Sequence, residues 1–241
     1  MSKTDTFRAL HHGRTPGDPL VLPGPWDAAS ARVCADAGFP ALATPSAGIA
    51  AALGYKDGAT PADEMFAAVT RIARAVDVPV SADVEDGYGL APKELVERLL
   101  EAGVVGCNLE DSHGGVLKDP RRHADRLAEV RAAAGERLFV NARVDTFLHG
   151  DGDPEQAIER AGLYVAAGAD CVYPILAPAA VLPLLRAGIQ GPLNMAARLD
   201  GAGPSLTELG ELGATRITFG PGLQLRATAA LADIAARLRQ G

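Results

Sequence analysis

The chain has 241 residues, 48% of them hydrophobic, enough to bury a large core without disulfides or a structural metal. A net charge of −7 and the lack of a basic run argue against nucleic-acid or anionic-membrane partners, and no run of about 18 apolar residues is present to span a bilayer. Three widely spaced cysteines, Cys34, Cys107 and Cys171, fit a reducing cytoplasm better than a disulfide framework or a zinc site.

From the N-terminus, residues 1–18 show no apolar core behind their charges and read as an extension, not a signal peptide. Short apolar runs then alternate with helical patterns. The spacing predicts strands at 20–24, 41–45, 79–84, 104–109, 138–144, 171–175, 192–196 and 216–219. Helices are predicted at 28–37, 61–76, 91–102, 120–134, 153–167, 178–187, 204–212 and 222–239. Continuous apolar strands imply burial on both faces, as in parallel sheets covered by helices. Eight such units over 1–241 predict a single α/β domain of the (β/α)8 TIM-barrel type, closed by the final helix 222–239. The repeated endings DAGF, EAGV, AAGAD and ELGAT place Gly where a helix takes a left-handed cap before the next strand. An open doubly wound sheet is the alternative, disfavoured by the strand count and the lack of a GxGxxG turn.

Chemistry concentrates where three successive strands end. Side chains alternate along a strand, so Ser81, Asp83 and Glu85 share one face of PVSADVEDGYG. By the same parity Asn108 and Glu110 project from the fourth strand, Asn141 and Arg143 from the fifth. Carboxylates converging at a barrel mouth suit a hard divalent cation, which takes one or two protein oxygens and keeps water for the rest. A solvated surface has no need of an Arg among those acids, whereas a metal site holding an anion does.

The ordered motifs LVLPGPWDAASARVCADAGFPALATPSAGIAAALGYKDG, PVSADVEDGYG, GCNLEDS, FVNARVDTF and RITFGPGL resemble the isocitrate lyase and phosphoenolpyruvate mutase superfamily over nearly the whole chain. The resemblance implies a (β/α)8 barrel with Mg²⁺, or Mn²⁺ in its place, acting on a small anionic 2-oxo acid or phosphonate. Asp83 resembles the direct metal ligand; Glu85, Asp57 and Glu110 resemble acids that reach the metal through water. Arg143 resembles the residue that grips the substrate's carboxylate or reacting oxygen. Ser46, Ala47 and Gly48 resemble the loop whose amides take the other carboxylate oxygens, and Trp26 lies in a motif that shapes the pocket or packs beneath it. The final helix resembles one that crosses to a neighbouring subunit, implying a homodimer or homotetramer.

Two departures matter. The lyases' KKCGH-like loop corresponds here to Glu110–Asp119, which has no Cys; Lys118 and His113 are the groups that loop offers for acid, base or phosphonate contact. Glu85 stands where relatives carry Asp. The expectation is a Mg²⁺-dependent C–C lyase, decarboxylase or hydrolase working through an enolate. A phosphonomutase and a non-catalytic 2-oxo acid binding barrel are the alternatives. A phosphate-sugar isomerase is disfavoured because it has no use for the acids of the third and fourth strands.

Overall fold

A computed structural model describes residues 2–240. The strands are β1 (Leu20–Val21), β2 (Leu42–Thr44), β3 (Val80–Asp83), β4 (Gly106–Leu109), β5 (Ser112–His113), β6 (Val116–Leu117), β7 (Phe139–Val144), β8 (Cys171–Pro174), β9 (Asn194–Ala196) and β10 (Arg216–Thr218). The α-helices are α1 (Lys3–Leu10), α2 (Ala28–Asp36), α3 (Ser46–Leu53), α4 (Ala62–Ala73), α5 (Pro92–Glu101), α6 (Pro120–Ala134), α7 (Thr146–His149), α8 (Pro154–Ala166), α9 (Leu182–Gly188), α10 (Leu206–Glu211) and α11 (Gly222–Gln240). All eight predicted strands form.

The fold is α/β with a curled parallel sheet. Five strands run parallel in the order β2-β3-β4-β7-β8, and β1-β10-β9 form a second parallel set. Two links join the sets. Val172 pairs in parallel with Leu193, and the Ala43 N–H donates to the Pro23 carbonyl at 3.1 Å.

Strand β7 shows how the core is divided, because all six of its residues are buried. Val140, Ala142 and Val144 pack outward into the cluster shared with Ala157, Ala161 and Tyr164 of α8. Phe139, on the opposite face, joins Leu20, Leu22, Ala43 and Cys171 in a separate cluster. Phe7 of α1 completes that inner cluster and is fully buried, so the N-terminal extension is a plug under the sheet. Helix α1 was invisible to hydrophobic periodicity because it buries Phe7 alone. Ser2 and Asp5 hold its start as a capping box.

Three further segments outside the predicted elements are ordered, one of them the four-residue α7. Residues 46–53 form α3, and β5 and β6 pair antiparallel about Gly114-Gly115, whose φ angles of 56° and 80° suit a tight hairpin turn. The glycines of the four helix-ending signatures, Gly38, Gly103, Gly168 and Gly213, all have positive φ, as a left-handed cap requires.

Candidate active site

A cavity of about 960 Å³ opens where the parallel strands end. Thr44, Asp83, Asn108, Arg143, Tyr173 and Thr218 form its strand-borne floor, from β2, β3, β4, β7, β8 and β10. Asp57, Glu85, Tyr88 and Glu110 enter from the following loops. Among the described residues only Glu85, Tyr88 and Leu176 are non-glycine residues with φ near +51° to +59°, and all three line this cavity. Backbone held at such cost is concentrated where ligands are bound.

The acids crowd one another. Asp83 keeps an edge open to the cavity but is otherwise enclosed by protein, which pushes its carboxyl up; Arg143 and the Ser46 hydroxyl, donating to Oδ2 at 3.1 Å, pull it back. Burial, then the charges of Asp83 and Asp57, push Glu85 up to about 7. Burial and Asp83 likewise raise Glu110, against the pull of Arg143. All three acids thus resist ionisation chiefly because they are buried, with neighbouring acids adding to the effect, and a bound cation would offset both.

Arg143 is buried and held on three sides. Its Nε and Nη2 donate to Asp145 at 2.6 and 3.0 Å, and Nη1 pairs with Glu110. Asp145 is itself anchored, because its N–H donates to Asp111 at 2.8 Å. Asp111 in turn accepts from Tyr164 at 2.7 Å and Arg160 at 3.0 Å. Those two side chains belong to the buried stripe Ala157, Arg160, Ala161 and Tyr164 of α8, so the helix packed behind β7 fixes the guanidinium in front of it.

Opposite, α3 begins with Pro45 at its N-cap and no side-chain cap. Its first internal bond runs from the Ile49 N–H to the Pro45 carbonyl, so the amides of Ser46, Ala47 and Gly48 have no acceptor within the helix. Ser46 and Ala47 line the cavity, giving it the positive end of a helix.

Among the described residues, no three His, Cys, Asp or Glu side chains stand together as a ready metal-ligand cluster. The donors still fit a hard cation that keeps most of its water, since they are carboxylates and Glu85 Oε1 is buried without a hydrogen-bond partner. Asp83 and Glu85 would hold such an ion, with Asp57 and Glu110 within the same cavity wall.

Several residues singled out in the sequence stand back from the cavity. Trp26 is half-buried against the outer core, and Trp26 and Gly48 pack near each other instead of lining the space. Asn141 does face inward, but one layer down, where its Nδ2 donates to Asn108 at 2.8 Å. Lys118 does not reach the space because its ammonium is occupied, lying 3.2 Å from Asp86 and donating to the Glu110 carbonyl at 3.3 Å. His113 of the hairpin lines the mouth and meets the same Asp86 at 2.9 Å. Asp145 and Asp111 escaped sequence reasoning; the available signals were that Asp145 shares the parity of Arg143 two residues earlier and that Asp111 directly follows Glu110.

The phosphoenolpyruvate phosphomutase family model matches residues 7–239. The chain is 36% identical over 218 residues to the uncharacterised protein Rv1998c of Mycobacterium tuberculosis H37Rv, covering 89% of this chain and 81% of that one. Among solved structures, a candidate phosphonomutase from Burkholderia cenocepacia J2315 superposes with a TM-score of 0.88 at 41% identity, over 97% of this chain and 99% of that one. Oxaloacetate acetylhydrolase in complex with its product oxalate gives a TM-score of 0.88 at 25% identity, over 99% of this chain and 87% of that one.

Proposed function

Since the chain belongs to the phosphoenolpyruvate phosphomutase family, within the isocitrate lyase superfamily, and is an enzyme of lyase or mutase type, we propose that it cleaves a small 2-oxo or 2-hydroxy acid through an enolate, with a divalent cation bound at Asp83 and Glu85. The observation that carries this is the meeting of four acids, one braced Arg and a bare helix N-terminus in one cavity. A divalent cation there supplies Lewis-acid polarisation of a keto oxygen.

The protein's own groups have separable tasks. The Ser46 and Ala47 amides and Arg143 bind and orient the substrate carboxylate. Arg143 also places fixed positive charge where an enolate oxygen develops. Glu110, in contact with Arg143 and raised by burial, is the carboxyl placed to hold or release a proton. C–C lyase, decarboxylase or hydrolase outcomes all fit this core. The mutase outcome has less support, because Lys118, a cation that could have served a phosphonate, is tied to Asp86.

Two finer features belong to the same proposal. The two links between the strand sets support a closed (β/α)8 barrel. The last helix leaves Leu225, Leu231, Ile234 and Leu238 exposed, which supports packing against another copy of the chain.

Product analysis on 2-oxo and 2-hydroxy acids bearing alkyl, carboxylate or phosphonate groups at C3, with Mg²⁺ and with chelator, tests the proposal. Metal-dependent C–C cleavage that Asp83→Ala abolishes in a folded protein is expected. Rearrangement of phosphonopyruvate, or turnover undiminished in Asp83→Ala, would overturn it.

A further inference from the structure

Beneath the cavity floor lies a charge that the acids above do not account for. Arg216 is the largest side chain that the fold buries completely, and among the described residues it makes no ion pair. Its Nη2 donates to Asn108 Oδ1 at 3.4 Å, while Nε and Nη1 have no partner. A guanidinium taken out of water with no acid beside it is costly, and an apolar side chain would fill the same place at lower cost. The contact it does make therefore points to a role outside packing.

Arg216 stands on β10, in the second strand set, and Asn108 on β4, in the middle of the five-stranded sheet, so the side chain crosses the interior from one set to the other. Asn141 of β7, the register partner of Asn108, donates its Nδ2 to the same Oδ1 at 2.8 Å. A guanidinium has no acceptor, so the atom of Asn108 that faces Arg216 is the oxygen. The amide nitrogen is left on the other side. It has no acceptor among the described residues, and Asn108, 6% exposed, lines the cavity. In register Asn108 lies between Asp83 of β3 and Asn141 of β7, the strand that also carries Arg143. The donor thus sits in the floor between the acid proposed to hold the cation and the strand of the guanidinium.

We infer that Asn108 is a catalytic residue of this site: its Nδ2 donates a hydrogen bond to the substrate oxygen that becomes the enolate oxygen. Arg216 is a positioning residue that holds the amide in this orientation from below. The inference rests on the enolate site proposed above and adds to it a neutral donor aimed where negative charge develops.

Calorimetric binding of oxalate and of pyruvate in saturating Mg²⁺ tests it. Oxalate presents a charged oxygen where pyruvate presents a neutral keto oxygen, and a donor gains more from the charged one. Asn108→Leu keeps the shape and removes the donor, so the oxalate-to-pyruvate affinity ratio should fall about tenfold. Arg216→Met should lower the ratio when Asn108 is present and leave it unaltered when Asn108 is already Leu, a dependence that packing alone does not produce. If Arg216→Met does not fold, Asn141→Ala, which removes the other donor to Asn108 Oδ1, takes its place in the cycle. A ratio unaltered by Asn108→Leu, whether or not both affinities fall, overturns the inference and leaves the site standing. An effect of Arg216→Met that persists in Asn108→Leu overturns the part given to Arg216. If the wild type binds neither acid, the enolate site itself is wrong and the inference falls with it.

Discussion

Asp145 makes no contact with the cavity, yet it decides what Arg143 can do there. Its two oxygens take two of the three guanidinium nitrogens that pair with acids, so the third is aimed at Glu110. Asp145→Asn keeps the shape and removes the charge. Leaving a buried guanidinium underpaired costs about 1–3 kcal/mol, so turnover should fall about tenfold or more while the circular dichroism spectrum is preserved; unchanged kcat/KM would show that Arg143 needs no such brace. Strand alternation made Asp83 and Arg143 legible in the sequence, because period two is a local rule, and it carried one step past the end of β4 to Glu110. It does not govern Glu85, which lies past the end of β3 at φ 51° and reaches the cavity through a left-handed turn. Nor could it reveal that Lys118 spends its charge on Asp86, a contact set by the fold of the hairpin beside it.

At the scale of elements, the strands and most helices were legible because each repeats one pattern, an apolar run followed by a 3.6-residue stripe ending in Gly. Helix α1, α3 and the β5–β6 hairpin were not. The first buries one large residue, and the second is small and apolar nearly throughout, like a strand or loop. The hairpin strands have two residues each, too short for alternation to show. Helix α1 nonetheless carries weight in the fold. The Phe7 ring meets Phe139 edge-on at 5.2 Å and His11 at 4.7 Å, and the buried Arg216 guanidinium lies 5.9 Å from its centre. Phe7→Ala should cost about 3–5 kcal/mol in denaturant unfolding. Because Phe7 lies in the inner cluster and not among the cavity's lining residues, kcat per folded molecule should be unaltered. A loss of less than about 1 kcal/mol would show the extension to be only an appendage.

For the whole molecule, two buried histidines make stability depend on pH on the acid side. Burial pushes both His11 and His123 down to about 3. An unfolded chain takes up these protons near pH 6.5 and the folded one does not. Stability from this source is therefore complete above pH 6.5 and drains away as pH falls towards 3, at up to about 1.4 kcal/mol per pH unit for each ring. His123, with neither nitrogen hydrogen-bonded, is the simpler test. His123→Leu should flatten the slope of unfolding free energy between pH 6 and 4, and an unaltered slope would place the titration elsewhere.

No helix among the described residues is long and apolar enough to cross a membrane, and the molecule's chemistry is gathered at one end of its parallel strands. There, acids that repel one another await a cation, and a cation awaits a bidentate acid. The direct measurement is calorimetric titration with oxalate in saturating Mg²⁺ and again in excess chelator, on the wild-type protein and on Asp83→Asn. Oxalate should bind the wild type only when Mg²⁺ is present and should not bind Asp83→Asn under either condition. Equal affinity with and without the metal, or binding retained by Asp83→Asn, would contradict the account.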